Sequence, residues 1–441
     1  MRVLCTGDIH IGRRSSKVSG DFRCSGAWSA IVDLAIAECV DLLAISGDIV
    51  DKESKSYESI GPLQQGLARL DQAGIETVAI AGNHDFDVLP RLAEFTGTQR
   101  FHLLGRGGQW QRHTFIKDGT LALHIDGWSF PHEHVNAHPL RSWRAGPSDG
   151  VPVLGVAHGD VDAPQSTYAP LMLDDLWAAT ADLWLLGHIH ASRQFRSSTG
   201  RLAFYPGSPW AMDPGEMGTH GVWLAMFAPG QSPTITLMPI SPVRYDTDTV
   251  DISSVTNEGD FQRTLAEAMN AIGKRALVEH GSGSLAVVSF RLHLTGRSVI
   301  HRTVSGWAEQ WRNDLGGLTL DGNGISVEID TLTNNVQPPI DLDHLAKGND
   351  PVAETAKLIR ALDDADPDPA SALLIRQVHD DLTRIHQHPG YASIANSESD
   401  ASLAVTTTED KPELTYSDAR NLLRRHAWDL LSALVAQKEL A

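Results

Sequence analysis

Five times in its first 190 residues, this chain ends a short apolar run in a glycine-flanked cluster of aspartate, asparagine or histidine. The first case is MRVLCTGDIH, Met1 to His10. Val3 to Cys5 reads as a buried strand that a glycine breaks just before Asp8 and His10. The others follow Ile45 (Gly47-Asp48-Ile49-Val50-Asp51), Ile80 (Gly82-Asn83-His84-Asp85), Val156 (His158-Gly159-Asp160) and Leu186 (Gly187-His188-Ile189-His190). A glycine lets the backbone turn tightly at each strand end. In open α/β sheets the carboxyl ends of the strands are where ligands gather. One Asp-x-His is as readily an ordinary turn as a metal site. Five clusters in chain order hold five Asp, one Asn and five His, and so supply the mixture of carboxylate, amide and imidazole that a two-metal oxygen/nitrogen site needs. No cysteine stands in the set, which argues against a structural zinc site.

The text between the clusters sets the fold class. Ser29–Val40 and Tyr57–Gly74 have helical spacing; Asp41–Asp48, Glu76–Ala81, Leu121–Ile125, Val151–Ala157 and Leu183–Leu186 read as strands. A strand-rich stretch from Gln194 to Leu237 follows. Alternation followed by strands predicts an α/β sandwich, sheets packed inside helices. Two prolines and a polar run at 239–250 mark a boundary. Beyond it, helices over Phe261–His280 and Val304–Leu315 and strands over Leu285–Leu294 and Ile325–Leu332 predict a compact α+β domain. The expected segments are 1–245, 250–340, an acidic helical stretch 341–388, a linker 389–414 rich in Ser, Thr, Asp and Glu, and an amphipathic helix 415–441. In that helix Leu423, Ala427, Leu430, Leu431 and Leu434 form one apolar stripe, expected to dock on a partner.

The five clusters, GDIH, GDIVD, GNHD, AHGD and GHIH, resemble in kind and order the signature of the calcineurin-like metallophosphoesterases. The resemblance implies an αββα sandwich with a small capping domain and C-terminal helices. It implies two divalent metal ions bridged by Asp48, with Asp8, His10 and His190 on the first and Asn83, His158 and His188 on the second. An activated water would attack phosphorus in line, and His84, oriented by Asp85, would serve the leaving oxygen. Asp51 is open between a supporting partner and a helix cap. The chain departs from the phosphoprotein phosphatase pattern, with GDIVDKE and GNHD in place of GDxVDRG and GNHE. The stretches Tyr205–Pro209, Gly218–Gly221 and Arg291–Arg297 are similar instead to the DNA-repair exonuclease branch, the SbcD and YhaO-type proteins. That branch implies Mn²⁺-dependent nuclease activity on DNA and a coiled-coil ATPase partner of the SMC (SbcC) type, attached through C-terminal helices. A second copy of the chain is a further candidate partner.

Charge bears on the partner. The net charge of −19 opposes a polyanion, but it is unevenly spread. Ten acidic residues crowd Asp341–Asp381, whereas Val288–Arg312 holds Arg291, Arg297, Arg302 and Arg312 against Glu309 alone. Arg13, Arg14 and Lys17 follow the first cluster directly, so these three with Arg291, Arg297 and Arg302 are the expected phosphate contacts. Three cysteines without metal-type spacing and no apolar run of membrane length predict a cytoplasmic protein without membrane contact. Two rival readings stand beside the nuclease: a phosphodiesterase of a small nucleotide, and a catalytically inactive scaffold for DNA ends.

Overall fold

The computed structural model describes residues 1–52, 57–94, 97–144, 146, 149–228, 230–281, 284–315, 318–319, 324–364, 366–387 and 415–440. The chain divides into two units, Met1–Pro338 and Pro339–Ala441. In the first unit, one sheet begins with four parallel strands, β1 (Arg2–Thr6), β2 (Leu42–Ile45), β3 (Glu76–Ala79) and β4 (Phe101–Leu103). A second sheet takes β5 (Gln111–Lys117), β6 (Thr120–Gly127), β7 (Val153–His158), β8 (Leu183–Gly187), β9 (Arg193–Arg196) and β10 (Leu202–Tyr205). The chain then returns to the first sheet as β11 (Gly221–Met226), antiparallel to β1, with β12 (Thr234–Pro239) outside it.

Side-chain alternation explains the layering. Val3 and Cys5 of β1 and Leu42 and Ala44 of β2 pack with Leu123, Ile125, Leu154, Val156, Leu183 and Leu185 of the facing sheet. Leu4, Leu43 and Ile45 point the other way, onto α1 (Cys24–Ala37), α2 (Tyr57–Gln72) and the short α3 (Leu89–Glu94). On the far side, Leu176 of α4 (Leu173–Ala178) packs with Trp184 and Leu186. The result is an αββα sandwich, sheets packed inside helices as the alternation predicts and layered as the resemblance implies. The helix predicted from Ser29 starts earlier, at Cys24.

A third sheet, β13 (Val243–Asp251), β14 (Val287–Thr295), β15 (Leu318–Thr319) and β16 (Ser326–Asn334), is flanked by α5 (Glu258–His280) and α6 (Val304–Leu315). Asn257 caps α5 by accepting from the Asp260 amide, and Gly281 ends it in a left-handed turn at φ 64°. Phe261, Leu265, Met269, Ile272 and Ala276 pack with Val288, Phe290 and Leu292 in one buried cluster. This capping sheet grips the loop that follows the first cluster. The Ser19 amide donates to Glu328 Oε2 at 2.9 Å, Ser289 Oγ donates to the Lys17 carbonyl at 3.2 Å, and the Tyr245 hydroxyl donates to the Ser16 carbonyl.

The second unit holds α7 (Leu342–Leu345), α8 (Pro351–Asp363), α9 (Pro369–Gln387) and α10 (Tyr416–Leu440). Here the expectation of a free docking stripe on α10 is corrected. Ala427 and Leu431 are buried with Val352, Ile359, Leu362 and Ile375, Leu423 and Leu434 pack at the margin, and Leu430 is 52% exposed. All of the stripe but Leu430 is already covered by the chain's own acidic helices. Arg420 donates to the Leu362 carbonyl at 2.6 Å, which secures the end of α8. The expected linker 389–414 lies outside the described residues. Among the described residues, no helix is long and apolar enough to cross a membrane.

Candidate metal centre

The five clusters meet where parallel strands of both sheets end, and the backbone there is held in unusual conformations. Asp8, His10 and Asp48 have φ of 49°, 48° and 49°, and His188 has 103°. Left-handed backbone at such residues costs roughly 1–3 kcal/mol each and persists only where the surroundings enforce it. Two turns enforce each other here: the Asp8 amide donates to the Gly47 carbonyl and the His10 amide to the Asp48 carbonyl, both at 3.0 Å. Gly82 is required by proximity, because a Cβ there would stand 2.1 Å from Asp48 Oδ1.

The hydrogen-bond pattern fixes the imidazoles. His10 Nδ1 donates to Asp51 Oδ1 at 3.1 Å, His190 Nδ1 to Glu216 Oε1 at 2.6 Å, and His158 Nδ1 to the Ser46 carbonyl at 2.8 Å. A neutral imidazole donating from Nδ1 carries a lone pair on Nε2. Those Nε2 atoms converge: His10 and His190 face each other at 3.1 Å, and His158 faces Asn83 Oδ1 at 2.9 Å and Asp48 Oδ2 at 3.5 Å. His188 Nδ1 reaches the same Asn83 oxygen at 3.2 Å, while its amide donates to Asp8 Oδ1 at 3.0 Å. Lone pairs and carboxylates crowded this closely repel unless a cation lies among them, so the residues fit bound metal. Three overlapping groups, Asp8/His10/His190, Asp8/Asp48/His158 and His10/Asp48/His84, each bring ligand atoms within 4.8 Å of one another.

The electrostatics ask for the same thing. Burial resists ionisation of Asp48, yet His158 and His10 hold its carboxyl below the usual range. Burial resists a charge on His158, yet the Asp48 carboxylate outweighs it and pushes the imidazole up to about 9. His188, buried beside His158, is pushed down. The cluster demands positive charge, and a metal ion would replace the protons that otherwise supply it.

The structure brings together all seven residues expected as ligands, Asp8, His10, Asp48, Asn83, His158, His188 and His190. It corrects the orientation of His84. That ring stands edge-on to His10 at 4.7 Å and pairs through Nδ1 with Asp51 Oδ1 at 3.3 Å, not with Asp85. Burial opposes a charge on His84, but the Asp51 hydrogen bond and the Asp48 charge raise its pKa. Asp85 is fully buried and accepts from the amides of Ile49 (2.7 Å), Gly82 (2.8 Å) and Val50 (3.3 Å), pinning two cluster loops together. Burial and the nearby Asp48 push its carboxyl up to about 7. Asp51, open in the sequence, serves both His10 and His84.

Two supporting residues escape the sequence reading. Glu216 holds His190, and its other oxygen accepts from Ser208 Oγ at 3.0 Å and the Met212 amide at 2.7 Å. The Tyr205 hydroxyl donates to the Gly159 carbonyl at 2.6 Å and accepts from the Val161 amide at 2.9 Å, which sets the loop after His158. Both sit in the Tyr205–Gly221 region that carries the resemblance to the exonuclease branch; nothing in their spacing marks them. Of the six expected phosphate contacts, Arg14, Lys17, Arg291 and Arg302 are exposed and Arg13 is half-buried. Arg297 is corrected: it donates to the Pro338 carbonyl at 3.0 Å, and burial lowers its pKa.

A family model, calcineurin-like phosphoesterase, matches residues 1–192. The uncharacterized metallophosphoesterase YhaO of Bacillus subtilis is 26% identical over 247 residues, 56% of this chain and 59% of that protein. Two DNA double-strand break repair proteins Mre11 are each 27% identical. That of Sulfurisphaera tokodaii aligns over 47% of this chain and 54% of its own length, and that of Aeropyrum pernix over 58% and 66%. The chain thus spans about half the length of the curated relatives it matches. Its N-terminal part is a calcineurin-like metallophosphoesterase domain, of a family of hydrolases that act on phosphate esters.

Proposed function

We propose that this chain is a two-metal-dependent nuclease that cleaves phosphodiester bonds in DNA. The observation that carries the reading is the pair of imidazoles, buried His10 and half-buried His190, whose outer nitrogens are tied to fixed acceptors and whose inner nitrogens face one another. In this reading Asp8, His10 and His190 hold one cation, Asn83, His158 and His188 hold the other, and Asp48 is shared. Two bound cations neutralise charge on the phosphate and lower the pKa of the attacking water. The mixed nitrogen and oxygen donors suit Mn²⁺ over Mg²⁺, which prefers oxygen and keeps its waters.

The remaining side chains position and transfer protons. Asp51 and Glu216 keep the Nε2 atoms of His10 and His190 aimed inward. His84, part exposed and favoured in its charged form by Asp51 and Asp48, donates the proton that the leaving oxygen takes up. DNA as substrate is supported by the Mre11 relatives and by the capping sheet, which grips the loop bearing Arg13, Arg14 and Lys17. Action in DNA repair with a coiled-coil ATPase partner rests on the resemblance. Because Ala427 and Leu431 of the α10 stripe are buried within the helical unit, that stripe is not assigned to the partner.

The test uses full-length, metal-stripped protein on linear duplex, single-stranded DNA and a chromogenic phosphodiester. DNA cleavage that requires added metal and is faster with Mn²⁺ than with Mg²⁺ is expected. Turnover of the diester with both DNAs intact would overturn the nuclease reading in favour of a small-nucleotide phosphodiesterase. Full activity in EDTA would overturn the metal mechanism.

A further inference from the structure

A second group of metal-binding side chains stands at the opposite end of β3. Glu76 is the first residue of that strand, whereas the metal centre lies beyond its last. Glu76 shares a face with Val78, and His102 of β4 is the register partner of Val78. His113 of β5 shares a face with Phe115 and is the register partner of Ile125. Val78, Phe115 and Ile125 all belong to the apolar layer between the two sheets. Three polar side chains therefore occupy inward positions where strand alternation calls for apolar ones. They come from three strands, and β4 and β5 are the edge strands of different sheets.

We propose that Glu76, His102 and His113 form an open, three-ligand site for a zinc-class divalent cation that joins the edges of the two sheets. The spacing fits. His113 Nε2 and His102 Nε2 lie 3.0 and 3.5 Å from the same Glu76 oxygen. A tetrahedral zinc with bonds of about 2.0–2.1 Å separates its ligand atoms by about 3.3 Å. All three side chains offer ligand atoms within 4.8 Å of one another. The two rings are stacked with centroids 4.1 Å apart. The stacking brings both ring edges to the one carboxylate, as a shared dication would require. The same Glu76 oxygen faces both ring nitrogens, so a cation held there would be shared by all three side chains.

The side chains are 21–29% exposed for Glu76 and His102 and 19% for His113, enough for a cation to enter and for water to take a fourth position. Two nitrogens and one oxygen suit zinc better than Mg²⁺ or Ca²⁺. No residue is shared with the phosphoesterase centre, so the two sites load independently. The edge strands β4 and β5 gain most from such a clasp, because each is paired on one side only.

The experiment counts metal in full-length protein stripped with chelator and dialysed against Zn²⁺. Wild type is compared with a variant carrying Glu76→Gln, His102→Gln and His113→Gln. The variant is expected to hold one zinc fewer per chain, to lose the zinc-dependent rise in melting temperature measured on Mn²⁺-loaded protein, and to keep its Mn²⁺-supported hydrolysis. Equal zinc in both proteins overturns the proposal. Zinc-edge anomalous diffraction from the unmodified protein reads the site without any variant. A peak between the three side chains is expected, and peaks confined to the centre around Asp48 would overturn it.

Discussion

The strand-end centre and the basic stripe of the capping sheet hold their charged side chains in opposite ways. Asp8, His10, Asp48 and His158 are at most 2% exposed, and each imidazole has its outer nitrogen tied to a carboxylate or carbonyl. Arg291 and Arg302 stand in solvent, and Arg291 pairs only loosely with Asp330, at 3.7 Å. A buried group without its counter-charge is strongly unfavourable, so the centre should respond to substitution nearly all-or-none. An exposed cation acts through a screened field, so the stripe should respond in small, salt-dependent steps. Catalysis and substrate affinity are thereby assigned to regions with different physical signatures.

The sharpest contrast should come from the centre itself. Asp48→Asn should abolish hydrolysis and empty the site, because one carboxylate serves overlapping ligand groups. His84→Ala should retain metal and lose roughly 10²–10⁴-fold in rate, the range for a missing proton donor. Metal content and rate, measured together on both variants, separate the roles. Loss of metal from His84→Ala would make His84 a ligand and erase the distinction.

Next in size are the residues that act through the ligands. Asp51→Asn and Glu216→Gln should each cost about 10–100-fold in metal affinity or rate. Asp85→Ala should instead lower the melting temperature, since three buried amides lose their acceptor at about 1–3 kcal/mol apiece. Were Asp85→Ala to spare stability and abolish turnover, the pairing with His84 that its sequence position suggests would be restored.

These variants also mark what is legible in the chain. The ligands are, because each ends an apolar strand run beside a glycine, and a parallel sheet delivers such ends to one edge. Asp85 misleads because adjacency in GNHD stands in for contact, whereas neighbouring side chains on a tight turn point apart. Glu216 is invisible in the sequence: it lies in a loop between strands, and its bond to His190 exists only through the fold. The strands β4 and β5 escape for a related reason. One is three residues long, and the other, QRHTFIK, runs through polar residues on both faces and buries Phe115 alone. Arg297 looks like its neighbours until the fold supplies its carbonyl partner.

On the cap, Arg291→Ala with Arg302→Ala should flatten the slope of log affinity for DNA against log salt by roughly 0.7–0.9 for each phosphate no longer neutralised. Arg297→Ala should leave the slope unchanged and lower the cap's stability modestly, through removal of the bond to Pro338. The comparison breaks if Arg297 governs the slope, or if the double variant abolishes turnover at low salt.

The smallest effect concerns a cap histidine held as tightly as those of the centre, but with no carboxylate to support a charge. His280, the last residue of α5, is 1% exposed, and its Nε2 pairs with Ser284 Oγ at 2.8 Å. Its Nδ1 is buried and has no hydrogen-bond partner among the described residues. A helix C-terminus ordinarily favours a protonated histidine. Here burial, and then the nearby Arg244 guanidinium, push the pKa down to about 4. The unfolded chain binds this proton near its ordinary value of about 6.5. Between those values the unfolded state carries more protons than the folded one, so stability falls as the pH falls. The contribution is fully present above about pH 6.5 and is lost as the pH drops through about 4. His280→Gln removes the titrating group, so its melting temperature should fall less steeply than that of wild type over this window, by a few degrees. Thermal melts of both proteins at pH 7, 6, 5 and 4 check this. Parallel curves would mean that His280 accepts its proton in place, and that burial without a counter-charge does not separate this histidine from His158.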